Sequence, residues 1–381
     1  MGTSPRKSIL IVDDAVVVRK ALADGLSRDP DLEVVGSASN GRLALAKLNT
    51  LRPDIILLDI EMPEMSGLEA LPEIRKLLPQ VPIIMFSALT ERGAEATLDA
   101  LSLGATDYVT KPSNMDGGST SGSITRELIP KIRALCHLPS VVQVPSASAS
   151  TPIFQEQRAV IRTRPAPLRS TRLGIVAIGV STGGPDALTR LLPVFPARFP
   201  LPIVVAQHMP PIFTGLLARR LASKCSLPVR ECQSGEVLEP GCIWLAPGDY
   251  HMVVHQDGDR IRVQTHQGPR ENFCRPSVDV LFRSVADLFG AHSLGVILTG
   301  MGQDGLRGCE ALCAQGASVI VQDEASSVVW GMPGFVARAG LAEKILPLNQ
   351  IGPEIIRRAS VQVLPITPAK SWTDKTQQFE R

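Results

Sequence analysis

The sequence predicts an α/β protein made of two doubly wound parallel-sheet domains joined by a linker. Three observations carry this. Apolar runs of strand length alternate with helix-period stretches in two separate blocks, those runs are apolar on both faces, and a Ser/Pro/Arg-rich segment without period divides the blocks. A chain of 381 residues also exceeds one ordinary domain and fits about two to three.

In the first block, residues 8–12 (SILIV) form a continuous apolar run that ends on Asp13 and Asp14, and a helix-period stretch follows to Ser27. Further strands are predicted at 32–38, 54–58, 81–86 and 107–109, with helical stretches between them. Strands without a polar face belong in a sheet covered on both sides. Residues 140–172 are dense in Ser, Ala and Pro and carry five Arg against Glu156, which predicts a flexible, somewhat extended linker. Alternation resumes at Leu173, with strands predicted at 174–179, 202–206, 243–245, 295–299 and 318–321. Residues 252–263 (MVVHQDGDRIRV) instead read as a hairpin turning on Asp257-Gly258. The organisation expected is a first domain over 7–125, a helix end and linker over 126–172, a second domain over 173–360 and a polar tail over 361–381.

Composition narrows the function classes. A net charge of +2 is too balanced for a protein that lives on phosphate backbones, so no nucleic-acid partner is expected. No apolar run approaches the ~18 residues of a membrane span, so membrane insertion is not expected either. No apolar signal core precedes the first strand, and the seven cysteines are scattered without a CxxC pair. These features predict a cytoplasmic protein with reduced thiols.

Asp13 and Asp14 end the first strand and Asp59 ends the third, the edge at which open parallel sheets bind ligands. Carboxylates converging there raise one another's pKa unless a hard cation neutralises them, and magnesium suits an all-oxygen set. Lys111 brings a positive charge to the same edge after the fifth strand, and Ser87 a hydroxyl after the fourth. One acid at a strand end would be an ordinary solvated loop residue; four chemically matched residues on four strand ends are not.

Residues from about 7 to 125 resemble a response-regulator receiver domain, through Asp13–Asp14, Asp59 in DIEMPEMSG, Ser87, Tyr108 and Lys111–Pro112. The resemblance implies a flavodoxin-like fold in which Asp59 takes a phosphoryl group from a histidine kinase. It implies Mg2+ held by Asp13 or Asp14, Asp59 and the backbone carbonyl of Glu61. Ser87 and Tyr108 would report phosphorylation, and Lys111–Pro112 would be a cis peptide. Ala15 departs from the Ser expected after the acid pair, outside the phosphoryl chemistry.

In the second block, Gly179-Val180-Ser181-Thr182-Gly183 fits G-x-S-x-G, a serine thrust out at a strand-to-helix turn with helix N–H groups behind it. Alone, such a loop could equally cradle a phosphate or make a tight turn. His208 follows the strand PIVVAQ, and Asp304 lies just past the strand GVILT. Ser, His and Asp at three strand ends are the parts that nucleophilic catalysis needs: a nucleophile, a base and a carboxylate that fixes the base. Among the other histidines His251 is the one rival, better suited to a structural or substrate-lining place. Gly300-Met301-Gly302-Gln303-Asp304-Gly305 also matches G-x-G-x-x-G, with Asp323 and Glu324 placed as a ribose-binding acid would be. A dinucleotide site there would leave Ser181 and His208 unexplained and lacks chain for a substrate domain.

Residues from about 173 to 355 resemble the catalytic domain of the chemotaxis protein-glutamate methylesterases, a Rossmann-like α/β esterase fold. The shared text is GVSTGG, QHMPP, APGDYHM, RPSVDVLF, GVILTGMGQDG and QDEASSVVWGMP, with Gln303 where Asn is commoner. The resemblance implies a triad of Ser181, His208 and Asp304, and an oxyanion hole from Met301 and the Thr182 region. It implies a phosphorylation-activated hydrolase that removes glutamate γ-methyl esters from methyl-accepting chemoreceptors, releases methanol and deamidates glutamines. The esterase would need no cofactor, would work in the cytoplasm at receptor arrays, and would be covered by the unphosphorylated receiver. The alternative is a response regulator with a non-catalytic or dinucleotide-binding output domain.

Overall fold

The computed structural model describes residues 6–111, 120–138, 163–164 and 172–360. The first unit runs β1 (Lys7–Val12), α1 (Val16–Leu26), β2 (Leu32–Ala38), α2 (Gly41–Leu48), β3 (Ile55–Asp59), α3 (Gly67–Leu77), β4 (Ile83–Ala88), α4 (Glu91–Ser102), β5 (Asp107–Lys111) and α5 (Thr120–Leu135). Its strands pair in parallel in the order β2-β1-β3-β4-β5. Local signals start the helices: Asn40 caps α2 and Thr90 caps α4, while Ser66 and Glu69 form a reciprocal capping box on α3.

Ile9, Ile55, Leu57 and Phe86 on one face, and Leu10, Ile56, Leu58 and Met85 on the other, are all buried. Each such side chain contributes about 1.5–3 kcal/mol when it leaves water. Helix α5 runs on to Leu135, within the segment where a helix end was expected. Leu128, Ile132 and Leu135 are buried against the first sheet, and Arg133 reaches Asp29 at 2.8 Å and Asp31 at 2.9 Å.

The second unit runs β6 (Ile175–Val180), α6 (Gly184–Leu191), β7 (Ile203–Gln207), α7 (Phe213–Ala222), β8 (Val229–Glu231), β9 (Ile243–Leu245), β10 (His251–Asp257), β11 (Arg260–His266), α8 (Val278–Phe289), β12 (Ser293–Ile297), α9 (Leu306–Ala314), β13 (Ser318–Gln322), α10 (Met332–Arg338), β14 (Lys344–Leu346) and α11 (Leu348–Ser360). Seven strands form a parallel sheet in the order β14-β13-β12-β6-β7-β9-β8, and β10–β11 is the antiparallel hairpin. The short edge strands β8 and β14 escape the sequence pattern because, unlike the equally short but fully buried β9, each carries a charged or half-exposed residue in its three and shows no apolar run. Strand order reverses at β6, which lies between β7 and β12, so the crevice for a ligand opens at the ends of those three strands.

The linker reading falls mostly outside the described residues, as do Pro112 and the tail. Arg164 is held against the second unit, its N–H on the Ala342 carbonyl at 2.8 Å and its guanidinium on the Cys313 carbonyl at 3.1 Å. All seven cysteines are unpaired. Among the described residues no helix is long and apolar enough to cross a membrane.

Candidate active site

The acidic pocket forms where β1 and β3 end. Asp13 and Asp59 are buried and Asp14 is exposed, and their carboxylates bring oxygens within 4.8 Å of one another. Lys111 Nζ bridges the buried pair, 2.7 Å from Asp59 and 2.9 Å from Asp13. Burial pushes the Asp59 carboxyl up, Lys111 pulls it down and Asp13 pushes it up again, leaving it raised to about 6. This oxygen set, with one carboxylate open to solvent, fits a small hard cation such as Mg2+, which would relieve the repulsion between the acids. Ser87 lies one residue past Phe86, the register partner of Asp59, and its hydroxyl donates to the Gly93 carbonyl at 2.9 Å. The Glu61 side chain is exposed, 3.8 Å from Arg92.

Tyr108 is buried, because its ring stacks on Phe213 at the start of α7, 4.9 Å between centroids and 6° from parallel. Next to it, Asp107 accepts a 3.0 Å hydrogen bond from the Thr182 hydroxyl and lies 3.2 Å from Lys131. Arg219 and Arg220 of α7 reach Glu91 and Asp99 of α4 at 3.3 and 2.8 Å. Val328, Val329 and Met301 share the apolar cluster of β1, β4 and α5. The first unit thus docks through α4, β5 and α5 onto the edge of the second that carries Ser181.

Val180 and Gln207 are register partners, so Ser181 and His208 leave adjacent strands side by side. The His208 N–H donates to the Val180 carbonyl at 3.1 Å. His208 Nε2 meets Asp304 Oδ2 at 2.7 Å. Asp304 in turn receives the Val278 N–H at 2.7 Å, the Asp279 N–H at 3.1 Å, the Ser277 hydroxyl at 2.9 Å and the Asn272 amide at 3.0 Å. It therefore sits on the N-terminus of α8, where helix N–H groups favour an anion.

Burial alone would raise the Asp304 carboxyl, but His208 and these donors hold it well below the usual range. Its neighbour Asp279 is pushed up to about 6, by burial and then by the Asp304 charge. Asn272 bridges the two acids, donating to Asp279 at 2.9 Å.

The Ser181 hydroxyl makes no hydrogen bond to the imidazole, so the contact that the sequence leads one to expect is not made. With Nε2 committed to Asp304, the nitrogen left for a serine is Nδ1, and Nδ1 faces the Cys274 sulfur at 3.4 Å. Burial disfavours the imidazolium, yet Cys274 and Asp304 outweigh it and His208 is pushed up to about 10.

Gly300 packs directly on Ser181: a Cβ added at Gly300 would lie 2.8 Å from the serine Cβ. Gly305, with φ +93°, lets the loop turn back so that Asp304 enters the site. Gly300 thus serves close approach while Gly302 (φ +87°) and Gly305 turn the loop, which accounts for the pattern without a dinucleotide. The backbone N–H groups of Thr182 and Met301 meet no acceptor among the described residues. Gln303 is exposed, so its side chain does not enter the site. His251 is structural: its Nε2 contacts the Pro269 carbonyl at 2.9 Å and its Nδ1 accepts the Ser277 N–H at 3.2 Å. Asn272, Cys274, Ser277 and Asp279 were missed as individual residues; the readable signal was Ser277, a helix-capping type just before a strongly amphipathic run.

Fold and site together define a response regulator whose output unit is a hydrolase-type α/β domain. Family models agree on both halves: "CheB methylesterase" matches residues 176–355 and "Response regulator receiver domain" matches 9–118. A protein-glutamate methylesterase/protein-glutamine glutaminase of Trichodesmium erythraeum is 54% identical, over 93% of this chain and 99% of that one. A protein of the same name from Nocardioides sp. is 49% identical over 96% and 99%. Among solved structures, the Thermotoga maritima CheB methylesterase catalytic domain is 40% identical, covering 49% of this chain and 99% of that one with a TM-score of 0.48. The chain belongs to the CheB family of receiver-bearing protein-glutamate methylesterase/protein-glutamine glutaminases.

Proposed function

We propose that this protein hydrolyses the γ-methyl esters of glutamates on methyl-accepting chemoreceptors, and deamidates glutamines there, under control of its own receiver. The observation that carries the reading is the His208–Asp304 pair, placed beside Ser181 at the point where strand order reverses. In the reaction Ser181 Oγ attacks the ester carbonyl while His208 Nδ1 takes its proton. The Met301 and Thr182 N–H groups bind the oxyanion. Methanol leaves with the proton returned by the imidazolium, and water, activated by the same imidazole, hydrolyses the acyl-serine to free glutamate. Asp304 keeps the proton on Nε2, so that the Nδ1 lone pair is the basic one.

For Nδ1 to act, Ser181 must replace Cys274 as its partner; catalytic hydrogen bonds are often unmade without substrate. The docked receiver adds a second restraint, since Asp107 holds the hydroxyl of Thr182, the residue next to the nucleophile. Asp59 is the phosphoacceptor, supplied by a chemotaxis histidine kinase. Asp13, Asp14, Asp59 and the Glu61 carbonyl would hold Mg2+, which supplies charge neutralisation for phosphoryl transfer. Lys111 supports the phosphoryl oxygens, and Ser87 and Tyr108 pass the change to the Phe213 interface. The setting is the cytoplasmic face of receptor arrays.

The test is methanol release from methylated receptor membranes, with and without acetyl phosphate. Wild type is expected to release methanol faster with the phosphodonor, and Ser181→Ala to release essentially none. Methanol release by Ser181→Ala at more than a small fraction of the wild-type rate would overturn the reading.

A further inference from the structure

Among the described large apolar side chains Phe273 is the most exposed, at 95%. It does not hang from a loose loop. Glu271 and Cys274 exchange backbone hydrogen bonds at 2.8 and 3.2 Å, closing a tight turn with Asn272 and Phe273 at its tip. Both tip residues have left-handed backbones, φ +49° and +64°. Such a turn favours Asn at the first position and Gly at the second. Asn272 obeys that preference, whereas Phe273 takes the glycine position, a strained one for a bulky side chain.

The surrounding contacts over-determine this geometry. Asn272 is tied to Asp304 and Asp279, Cys274 to His208, and the Arg275 guanidinium to Asp249 at 2.7 Å. The ring is therefore held out in water on an arm whose two neighbouring residues both belong to the candidate active site. Its Cα is one residue, about 3.8 Å, from that of Cys274.

The neighbouring loops repeat the theme. Ile212 (φ +73°) and Tyr250 are also exposed, and their loops lock onto the same arm. Gly248 packs against Pro210–Pro211, and the Asp249 N–H donates to the Arg275 carbonyl at 3.1 Å. Among the described residues, the receiver contacts given above fall on Thr182, Met301, α7 and 328–329.

Resting on the proposed function, we infer that Phe273 is a specificity-determining residue: an apolar knob that seats between side chains of the receptor helix carrying the target ester, about one turn from it. Residues three and four apart on a helix stand side by side. An apolar side chain at that spacing from the methylated glutamate would receive the ring while the ester enters between Ser181 and His208. A single exposed aromatic would mean little; one kept in a strained turn bonded to the reacting centre is placed for contact.

The experiment uses the full chain, with methylated receptor membranes and a short, non-helical glutamyl γ-methyl ester peptide as paired substrates. Phe273→Gly removes the ring and relaxes the turn, since glycine accepts a left-handed backbone. It is expected to lower kcat/KM on receptors about tenfold relative to the short peptide, through KM, the size of effect a lost aromatic contact gives. Its Tm should not fall, and Phe273→Leu should recover most of the loss. An unchanged receptor-to-peptide ratio in Phe273→Gly, or an equal loss on both substrates, overturns the inference. If wild type itself releases no methanol from receptors, the proposed function fails, a result separate from the behaviour of Phe273.

Discussion

The imidazole of His208 turns Nδ1 toward the sulfur of Cys274, 3.4 Å away. Catalysis through Ser181 needs that same nitrogen, so Cys274 and Ser181 compete for one ring atom.

A pH dependence follows. The base works when neutral, and His208 is raised from its ordinary value to about 10, with Cys274 the largest contribution upward. The rate of the full chain should therefore rise with pH through the neutral and alkaline range as the imidazolium loses its proton. Cys274→Ala removes that contribution, so the acid limb of the pH–rate profile should move to lower pH and activity at pH 7 should increase. A limb that stays in place would contradict this role for the thiol.

Asp304 accepts five hydrogen bonds, four of them from the Asn272–Asp279 segment. Asp304→Asn keeps the shape but loses the charge and the tautomer it selects, and kcat should fall by about 10³- to 10⁴-fold. Asn272→Ala leaves the two facing carboxylates without their bridge, and thermal melts should show a loss of about 1–3 kcal/mol.

Docking of the receiver is tested at its exposed rim. Arg219→Glu with Arg220→Glu sets like charges against Glu91 and Asp99 and should raise activity without phosphodonor several-fold. Adding Glu91→Arg and Asp99→Arg restores opposite charges and should lower it again. Exposed pairs are worth only about 0.2–1 kcal/mol each, so the reversal, rather than simple loss, is the informative change. Basal activity unmoved by both sets would place autoinhibition elsewhere.

Phosphorylation is tested at Asp59. Asp59→Asn should abolish stimulation by acetyl phosphate while leaving basal methanol release, and chelation of Mg2+ should do the same to wild type. Stimulation that survives either treatment would contradict the receiver scheme.

Much of this fold was legible because its strands are buried on both faces: IILL of β3 and IVVA of β7 are apolar throughout, and each runs into polar residues, Asp59 in the one and Gln207–His208 in the other. The strand-end positions of Asp59, Ser181 and His208 could be read from that alone. Edge strands such as β8 (VRE) were illegible, since one of their three residues is exposed and no period can form. Contacts set by tertiary packing were equally hidden. Nothing local ties Tyr108 to Phe213 or Asp107 to Thr182, whose partners lie far apart in sequence. The support of Asp304 by the start of α8 was hidden for the same reason. Cys274 beside His208 was invisible because a lone cysteine in a loop carries no pattern.

The central claim is that Ser181 is a nucleophile activated by His208. Fluorophosphonate labelling of the full chain, with the adduct located by peptide mass, tests it most directly. The account predicts one adduct, on Ser181, formed faster with acetyl phosphate and lost in His208→Ala. Methanol release that continues once Ser181 is fully labelled, or turnover blocked by the reagent while Ser181 stays unlabelled, would contradict it.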